Sequence, residues 1–282
     1  MKSFETLRAH LDERGCLTVS LNRPDVRNAF NEVVIRELTE VFSQEVSRPE
    51  VRIVVLRGEG PVFSAGGDLN WMKKSIELDY AGNLKDTREL TQMFARMNEC
   101  PKPLIGAIHG AAIGGGVGLT SVCDIVVATD DTQFSLSEVR LGIVPACIGP
   151  FVIAKIGASQ ARRLFLSAER FGTVIAREIG LVHEAVADRA ALAAAVERLV
   201  ANMLQCSPNA VGVAKRLVLD LSWPERRAEL GAAPSMVAPG VTGARESCYD
   251  YVARILAELR VSVEGQEGLK AFLEKRKPSW FL

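Results

Sequence analysis

Apolar and polar stretches alternate along the first half of the chain in a way that predicts strands and helices in turn. Phe4–His10 and Cys16–Leu21 are short apolar runs separated by a charged turn, which is typical of two strands. Asn28–Val46 carries apolar residues at helical spacing. Val51–Leu56 is a β-branched run that suits a strand buried on both faces.

The same pattern continues to about residue 128, and the character of the chain changes from about Ala158 onward. We predict a helix from about Asn83 to Asn98, followed by strands at Leu104–Ile108 and Asp124–Ala128. Such alternation indicates an α/β core with several parallel strand pairs.

Helical patterns dominate the last third of the chain. The predicted helices there cover Ala190–Leu204, Cys248–Leu259 and Glu264–Lys277. We place a boundary near residue 200, with an α/β core over 1–200 and a helical C-terminal region over 201–282. Trp223–Thr242 is rich in alanine, proline and glycine, and it predicts a loop or an insertion.

Composition narrows the class of protein. The 282 residues include 48% hydrophobic and 24% charged residues, which is enough apolar material for a sizeable core. Lys+Arg and Asp+Glu are equal at 34 each, and a net charge of zero argues against nucleic acid or an anionic membrane as the main partner. The six cysteines form no CxxC pair, which indicates free thiols in a reducing compartment. We therefore expect a cytoplasmic enzyme without a membrane span.

Two glycine-rich segments are the first candidates for chemistry. Phe63–Leu69 and His109–Gly118 each follow a predicted strand and run toward a predicted helix. Turns of this kind expose backbone N–H groups that can hold a negatively charged oxygen. Neither segment fits a dinucleotide fingerprint or a Walker loop. The glycines could also serve tight backbone packing alone, but two such segments in one domain favour a paired oxyanion site.

Glu138 is the third candidate. It lies in a stretch that also contains Leu136, Val139, Leu141 and Ile143. A carboxylate in this company is either solvated on a surface turn, which the local sequence favours, or held in an apolar pocket. In the pocket its pKa would rise toward general acid and base use.

Five segments follow one another in order and in register over nearly the whole chain: Leu21–Pro24 with Asn28–Ala29, then FSAGGDL, HGAAIGGGVGL, CDIVVA and SEVRLGIVP. Together they resemble the enoyl-CoA hydratase/isomerase (crotonase) superfamily, and the closing EKRKP matches the last helix of that family. Within the superfamily, Asp68–Met72 and Gly265–Leu269 make the chain most similar to bacterial methylglutaconyl-CoA hydratase-like members.

The resemblance implies a fold, an assembly and a site. The fold is a spiral of strand-strand-helix turns with a helical C-terminal region, assembled as a homotrimer or a dimer of trimers. The N–H groups of Gly67 and Gly115 would hold the thioester carbonyl of an acyl-CoA. The residues implied in binding the coenzyme A part are Arg27, Ala29, Ala65, Gly66, Asp68, Leu69, Phe272 and Lys275, with Asp68 more often structural in this family.

One departure from the family pattern bears on the reaction. Hydratases of the family typically use two glutamates twenty positions apart; Glu138 matches the second, and Gly118 stands where the first would be. Relatives with one glutamate include isomerases that move a double bond between C3 and C2. We expect Gly118 to widen the pocket for a bulkier or carboxylated acyl group, with Trp71 also in the pocket wall.

Few other side chains are candidates. We expect Cys147 to be a small filler more often than a proton relay, His109 and His183 to be structural, and Asp124 to bond locally. A ligand carboxylate would need a partner such as Arg140 or Arg162.

Hydration of a 2-enoyl-CoA, possibly methylglutaconyl-CoA, is our first prediction for the reaction. Double-bond isomerisation is the second, hydrolysis or decarboxylation of an acyl-CoA the third, and an inactive coenzyme A-binding scaffold the alternative outside enzymes. Coenzyme A enters as part of the substrate; we predict no metal site, no redox cofactor and no nucleic-acid partner.

Overall fold

A computed structural model describes residues 2–222 and 248–281. It divides into two compact units, Met1–Met203 and Leu204–Leu282. The predicted loop or insertion at Trp223–Thr242 lies outside the described residues.

The first unit is built on two sheets. The larger has six strands in the order β1-β2-β3-β4-β6-β9, and the smaller has three in the order β5-β7-β8. The strands are β1 (Leu7–Leu11), β2 (Cys16–Leu21), β3 (Ile53–Gly58), β4 (Leu104–Ile108), β5 (Ala111–Ile113), β6 (Ile125–Thr129), β7 (Gln133–Ser135), β8 (Arg170–Gly172) and β9 (Glu184–Val186).

Parallel pairing dominates the large sheet, as the alternation of strands and helices predicts. In this sheet β1 is antiparallel to β2, with Leu7 opposite Leu21, while the pairs β2-β3, β3-β4, β4-β6 and β6-β9 are parallel. In the small sheet β5 and β7 are parallel and β7 and β8 antiparallel. Strand β4 is buried along its whole length, which explains its unbroken apolar sequence.

Helices surround these sheets and make up the described part of the second unit. Those of the first unit are α1 (Glu32–Glu40), α2 (Leu69–Glu77), α3 (Tyr80–Glu99), α4 (Gly115–Ser121), α5 (Gly149–Ser167), α6 (Thr173–Glu178) and α7 (Arg189–Met203). Those of the second unit are α8 (Pro208–Ser222), α9 (Cys248–Val261) and α10 (Val263–Leu273). The α/β core followed by a helical C-terminal region is confirmed. No helix in the described ranges is both long and apolar enough to cross a bilayer.

Some predicted boundaries were wrong for local reasons. The helix predicted from Asn28 begins only at Glu32, because Asn28 has a left-handed φ of 54° and the Asn31 side chain caps α1 by accepting from the Val34 N–H. The final helix ends at Leu273 rather than near Lys277, and Lys275 has a left-handed φ of 56°.

A buried carboxylate fastens α1 to the segment before β1. Glu37 is 6% exposed and accepts hydrogen bonds from the Glu5 and Thr6 N–H groups at 2.7 and 2.9 Å, and from Thr6 Oγ1 at 2.5 Å. These bonds satisfy a buried acid that would otherwise be costly to fold inside the protein.

We expect Glu37→Ala to lower the free energy of unfolding by about 2–4 kcal/mol, because it leaves buried donors without an acceptor. Glu37→Gln retains one carbonyl oxygen and should lose less. Urea unfolding followed by circular dichroism measures both variants. An alanine variant as stable as the glutamine variant would contradict this role for Glu37.

Candidate active site

The first glycine turn leads from Ser64 into α2. Gly66 has a φ of 86°, a region that favours glycine, and its N–H donates to Ser64 Oγ at 3.2 Å. Asp68 then caps α2 by accepting from the Asn70 N–H at 2.8 Å. Gly67 lies between these two hydrogen-bonded residues and is half-buried.

The second glycine turn joins β5 to α4. Gly114 has a φ of 52°, and its N–H donates to the Ser135 carbonyl of β7 at 2.8 Å. Gly115 is the first residue of α4, where a backbone N–H has no acceptor within the helix.

The two turns touch. A Cβ on Gly66 would lie 2.6 Å from the Ile113 carbonyl oxygen and 3.6 Å from the Gly115 nitrogen. Among the described residues, neither the Gly67 nor the Gly115 N–H donates to a protein acceptor. The structure therefore brings the two turns that carry these amide donors into contact, and paired amide donors of this kind can stabilise an oxyanion.

Glu138 lies beside the second turn. Its Oε1 atom is 3.1 Å from the position that a Gly114 Cβ would occupy, and its Oε2 atom is buried and has no hydrogen-bond partner among the residues that the structure describes. Burial raises the pKa of Glu138 above its ordinary value, against a smaller opposing effect of its own backbone N–H. Of the two environments that the sequence allows, the structure shows the pocket rather than the solvated turn.

Both turns and Glu138 line one cavity of about 500 Å³. Most of its wall is apolar; this part includes Phe30, Leu69, Met72, Leu90, Phe94, Ile113, Leu141, Ile143, Val144, Pro145 and Ile148. The polar side chains in the wall are Trp71, Ser75, Asn83, Asp86, Thr87, Ser137, Glu138 and Cys147.

Asp86 is the residue of this wall that sequence reasoning missed. It lies on α3, and its Oδ1 atom accepts a hydrogen bond from the Trp71 indole N–H of α2 at 3.3 Å. Burial raises the pKa of Asp86, with smaller contributions from the carboxylates of Glu89 and Glu32 and an opposing one from Trp71. Nothing in its local sequence marks Asp86, since an acid every few residues is ordinary on a helix surface.

Gly118 does not widen the cavity, so that prediction was wrong. Gly118 is buried in α4, and a Cβ there would lie 2.3 Å from Ile148 Cγ2 and 3.0 Å from Phe94 Cε1. The space that a side chain at this position would need is already filled by these two residues, which themselves face the cavity.

Cys147 lies in the cavity wall, and its Sγ atom donates to the Thr87 carbonyl of α3 at 3.7 Å.

His109 lies outside this cavity, with Nε2 hydrogen-bonded to the Gly60 carbonyl at 3.1 Å. His183 accepts from the Val126 N–H through Nδ1, and burial lowers its pKa. Asp124 accepts from the Leu104 N–H at 2.8 Å, so it bonds to the start of the neighbouring strand β4 and not within its own segment as predicted.

The two arginines considered as partners for a ligand carboxylate do not line the cavity. Arg140 donates to the Ala168 carbonyl at 3.0 Å, and Arg162 is exposed on α5.

The residues expected to bind coenzyme A fall into two groups. Ala65, Gly66 and Leu69 line the cavity. Asp68 does not; its carboxylate pairs with Arg23 at 2.9 Å as well as capping α2. Burial alone would raise the pKa of Asp68, but the Asn70 N–H and the Arg23 guanidinium outweigh it and hold that pKa below its ordinary value.

Arg27 and Ala29 lie on the loop before α1. Arg27 is exposed with a φ of 54°, next to Asn28 with the same φ, whereas Ala29 is buried and its carbonyl accepts from Arg23. Phe272 and Lys275 belong to the second unit, where both are exposed. Contact of these residues with coenzyme A stays a prediction.

Residues 2–222 and 248–281 contain no candidate metal-binding site. No three histidine, cysteine, aspartate or glutamate side chains come together there in a way that could hold an ion.

Known proteins are similar to this chain in sequence and in fold. The sequence model of the enoyl-CoA hydratase/isomerase family matches residues 12–281. The chain is 32% identical to the 2,3-dehydroadipyl-CoA hydratase of Escherichia coli K12, covering 95% of this chain and 96% of that protein. It is 34% identical to the mitochondrial Delta(3,5)-Delta(2,4)-dienoyl-CoA isomerase of Mus musculus, covering 74% and 67%. The crystal structure of an enoyl-CoA hydratase from Shewanella pealeana superposes with a TM-score of 0.87 at 35% identity, covering 98% of this chain and 96% of that one.

We expect Gly118→Ala to lower the free energy of unfolding by about 1–2 kcal/mol, because the clash with Ile148 exceeds the gain in helix propensity. Gly149→Ala is the matched control, since a Cβ there meets only Phe165 Cε2 at 3.9 Å. Urea denaturation measures both. A Gly118→Ala variant as stable as its control would show that the space beside α4 is open.

Proposed function

Because the chain belongs to the enoyl-CoA hydratase/isomerase family, we propose that it adds water across the double bond of a 2-enoyl-CoA thioester. One observation supports this most strongly: two backbone N–H groups and a buried glutamate oxygen, none of them with a hydrogen-bond partner in the described part of the chain, line the same cavity. Hydration is also the reaction named for the E. coli relative.

The two glycine amides have the first role in the proposed reaction. The thioester carbonyl oxygen lies between the Gly67 and Gly115 N–H groups, which stabilise the negative charge that develops when C3 is attacked. In other enzymes a single donor of this kind contributes about 10²–10³ in rate. Because both donors are backbone groups, they need no side-chain rearrangement when the charge appears.

Glu138 handles the protons. As an ionised base it accepts one proton from water while the water oxygen bonds to C3, and the electron pair of the double bond moves onto the enolate. Protonated Glu138 then donates that proton to C2, and the thioester carbonyl re-forms. The water supplies both the hydroxyl at C3 and the hydrogen at C2, so one carboxyl group is sufficient for the balance.

The coenzyme A part of the substrate is proposed to contact Arg27, Ala29 and the Ala65–Leu69 turn, with Phe272 and Lys275 as further contacts. The exposed Arg27 and the cavity-lining turn support the first part of this assignment. A homotrimer or a dimer of trimers is the proposed assembly, on the family resemblance alone.

Double-bond isomerisation is the second candidate, and Gly118 is the observation that favours it. No carboxylate stands at this position, and Ile148 and Phe94 fill the space around it. An isomerase needs one base that removes a proton from one carbon and returns it to another, and the mouse relative is named as an isomerase.

We expect wild-type protein to remove the conjugated absorbance of crotonyl-CoA, and Glu138→Gln to lower kcat by about 10²–10⁴ because the amide cannot accept the proton. Glu178→Gln, an exposed substitution on α6, is the control and should keep full activity. 3-Methylglutaconyl-CoA is tested beside crotonyl-CoA. A Glu138→Gln variant with normal turnover would exclude the proposed mechanism.

A 3-enoyl-CoA separates the two candidate reactions. With it, an isomerase raises the conjugated absorbance without any added enzyme, whereas a hydratase leaves it unchanged. Silence with all three thioesters would favour the coenzyme A-binding scaffold.

The raised pKa of Glu138 predicts the acid limb of the pH profile. Only ionised Glu138 is a base, so kcat/KM for crotonyl-CoA should fall on acidification around a pKa above the ordinary glutamate value of 4.5. An acid limb at or below 4.5 would contradict the buried base.

The same raised pKa bears on stability. A group with a raised folded-state pKa binds more protons when folded, so its ionisation destabilises the fold as pH rises. The Glu138→Gln variant should therefore melt at no lower a temperature than the wild type at neutral pH.

A further inference from the structure

The cavity carries two carboxylates and no cation in its described lining. Glu138 and Asp86 both face it, and no lysine or arginine does. Two basic residues on neighbouring segments are engaged elsewhere: Lys74 pairs with Glu32 at 2.5 Å, and Arg140 bonds to the Ala168 carbonyl. Three others on α2 and α3 are exposed and lie outside the lining: Lys73, Lys85 and Arg88. A ligand carboxylate would enter this cavity without a counter-ion.

Hydrogen-bond donors in the wall formed by α2 and α3 are also engaged. The Asn83 Nδ2 atom donates to the carbonyls of Ser75, Leu78 and Asp79 at 3.0–3.2 Å. Thr87 Oγ1 donates to the Asn83 carbonyl at 2.8 Å, so it too is directed at the backbone.

Two further donors of the wall formed by α2 and α3 also have acceptors within the protein. Ser75 Oγ donates to the Met72 carbonyl at 2.7 Å, and the Trp71 indole N–H is bonded to Asp86. What this wall offers a ligand is therefore chiefly acceptor oxygen and apolar surface, and a ligand carboxylate would find neither charge nor hydrogen bonds to replace its water.

We propose that this cavity selects acyl groups that bear no negative charge at their distal end, and that Asp86, held by Trp71, is the residue that imposes the selection. The proposal rests on the proposed function and narrows its substrate class to uncharged 2-enoyl thioesters. It separates this chain from its E. coli relative, whose name specifies a dicarboxylic acyl group.

Asp86 is well placed for this role because its own charge is already unfavourable. It is partly buried, and the carboxylates of Glu89 and Glu32 add repulsion, which together raise its pKa. A second carboxylate from a ligand would add a further like charge to the same low-dielectric surroundings. An uncharged chain instead meets apolar residues such as Met72, Leu90 and Phe94.

A pair of substrates of equal length tests the selection. trans-2-Hexenoyl-CoA and 2,3-dehydroadipyl-CoA differ only in the distal group, methyl against carboxylate. We expect kcat/KM to favour hexenoyl-CoA by at least about tenfold in the wild type. Equal or better use of 2,3-dehydroadipyl-CoA would overturn the proposal.

Asp86→Asn identifies the residue responsible. The amide keeps an oxygen for the Trp71 indole and removes the charge, so the hexenoyl-to-dehydroadipyl ratio should fall at least about threefold. Glu77→Gln removes one negative charge from an exposed position on α2 outside the cavity and should leave both rates and their ratio unchanged. An unchanged ratio in Asp86→Asn would show that Asp86 does not impose the selection.

Binding of the saturated analogues keeps this test independent of catalysis. Isothermal titration with hexanoyl-CoA and adipyl-CoA should show hexanoyl-CoA binding more tightly by a similar factor. If that preference appears but no thioester is turned over, the proposed hydration fails while the charge selection stands. Equal affinities would overturn the selection whatever the activity, and a protein that binds neither analogue would overturn both proposals.

Discussion

The close approach of two backbone turns is the constraint on which the site depends. The Gly66 and Ile113 backbones lie too near each other for any side chain at Gly66, and a Cβ at Gly115 would lie 2.3 Å from the Phe30 ring. Only glycine fits such positions without displacing the neighbouring chain. This approach places the amides of Gly67 and Gly115 beside one cavity, and Glu138 reaches that cavity from the following segment.

The surrounding fold is organised to hold these turns in place. Residues 63–67 are fastened through bonds from Phe63 and Ser64 to the segment after β4, and the Phe30 N–H donates to the Gly66 carbonyl at 2.7 Å. Asp68 is fastened to Arg23, and Gly114 to β7. Because each turn is bonded on both sides, the free amides are preorganised rather than ordered by a ligand, which is the condition under which such donors stabilise charge best.

The same packing places the two carboxylates of the cavity on different elements of the fold. Around α4, Ile148 and Phe94 occupy the space where a second acid would have to stand, so the reacting end of the cavity holds one carboxylate near the glycine amides. The other carboxylate, Asp86, belongs to α3 and is oriented by Trp71 of α2. In the proposed reaction Glu138 serves the chemistry and Asp86 the choice of acyl group, and the two acids come from different elements of the fold.

Local sequence was sufficient for the parts of this protein that depend on local chemistry. Short apolar runs predicted the strands β2, β3 and β4, and the strand-glycine-helix pattern predicted both turns. Both predictions were possible because backbone conformation and burial pattern depend on neighbouring residues. Only the tertiary structure decided whether Glu138 is solvated or buried, that Gly118 is packed rather than open, and that Asp86 faces the cavity. These facts depend on which side chains from distant segments fill the same space, and spacing along one segment carries no information about that.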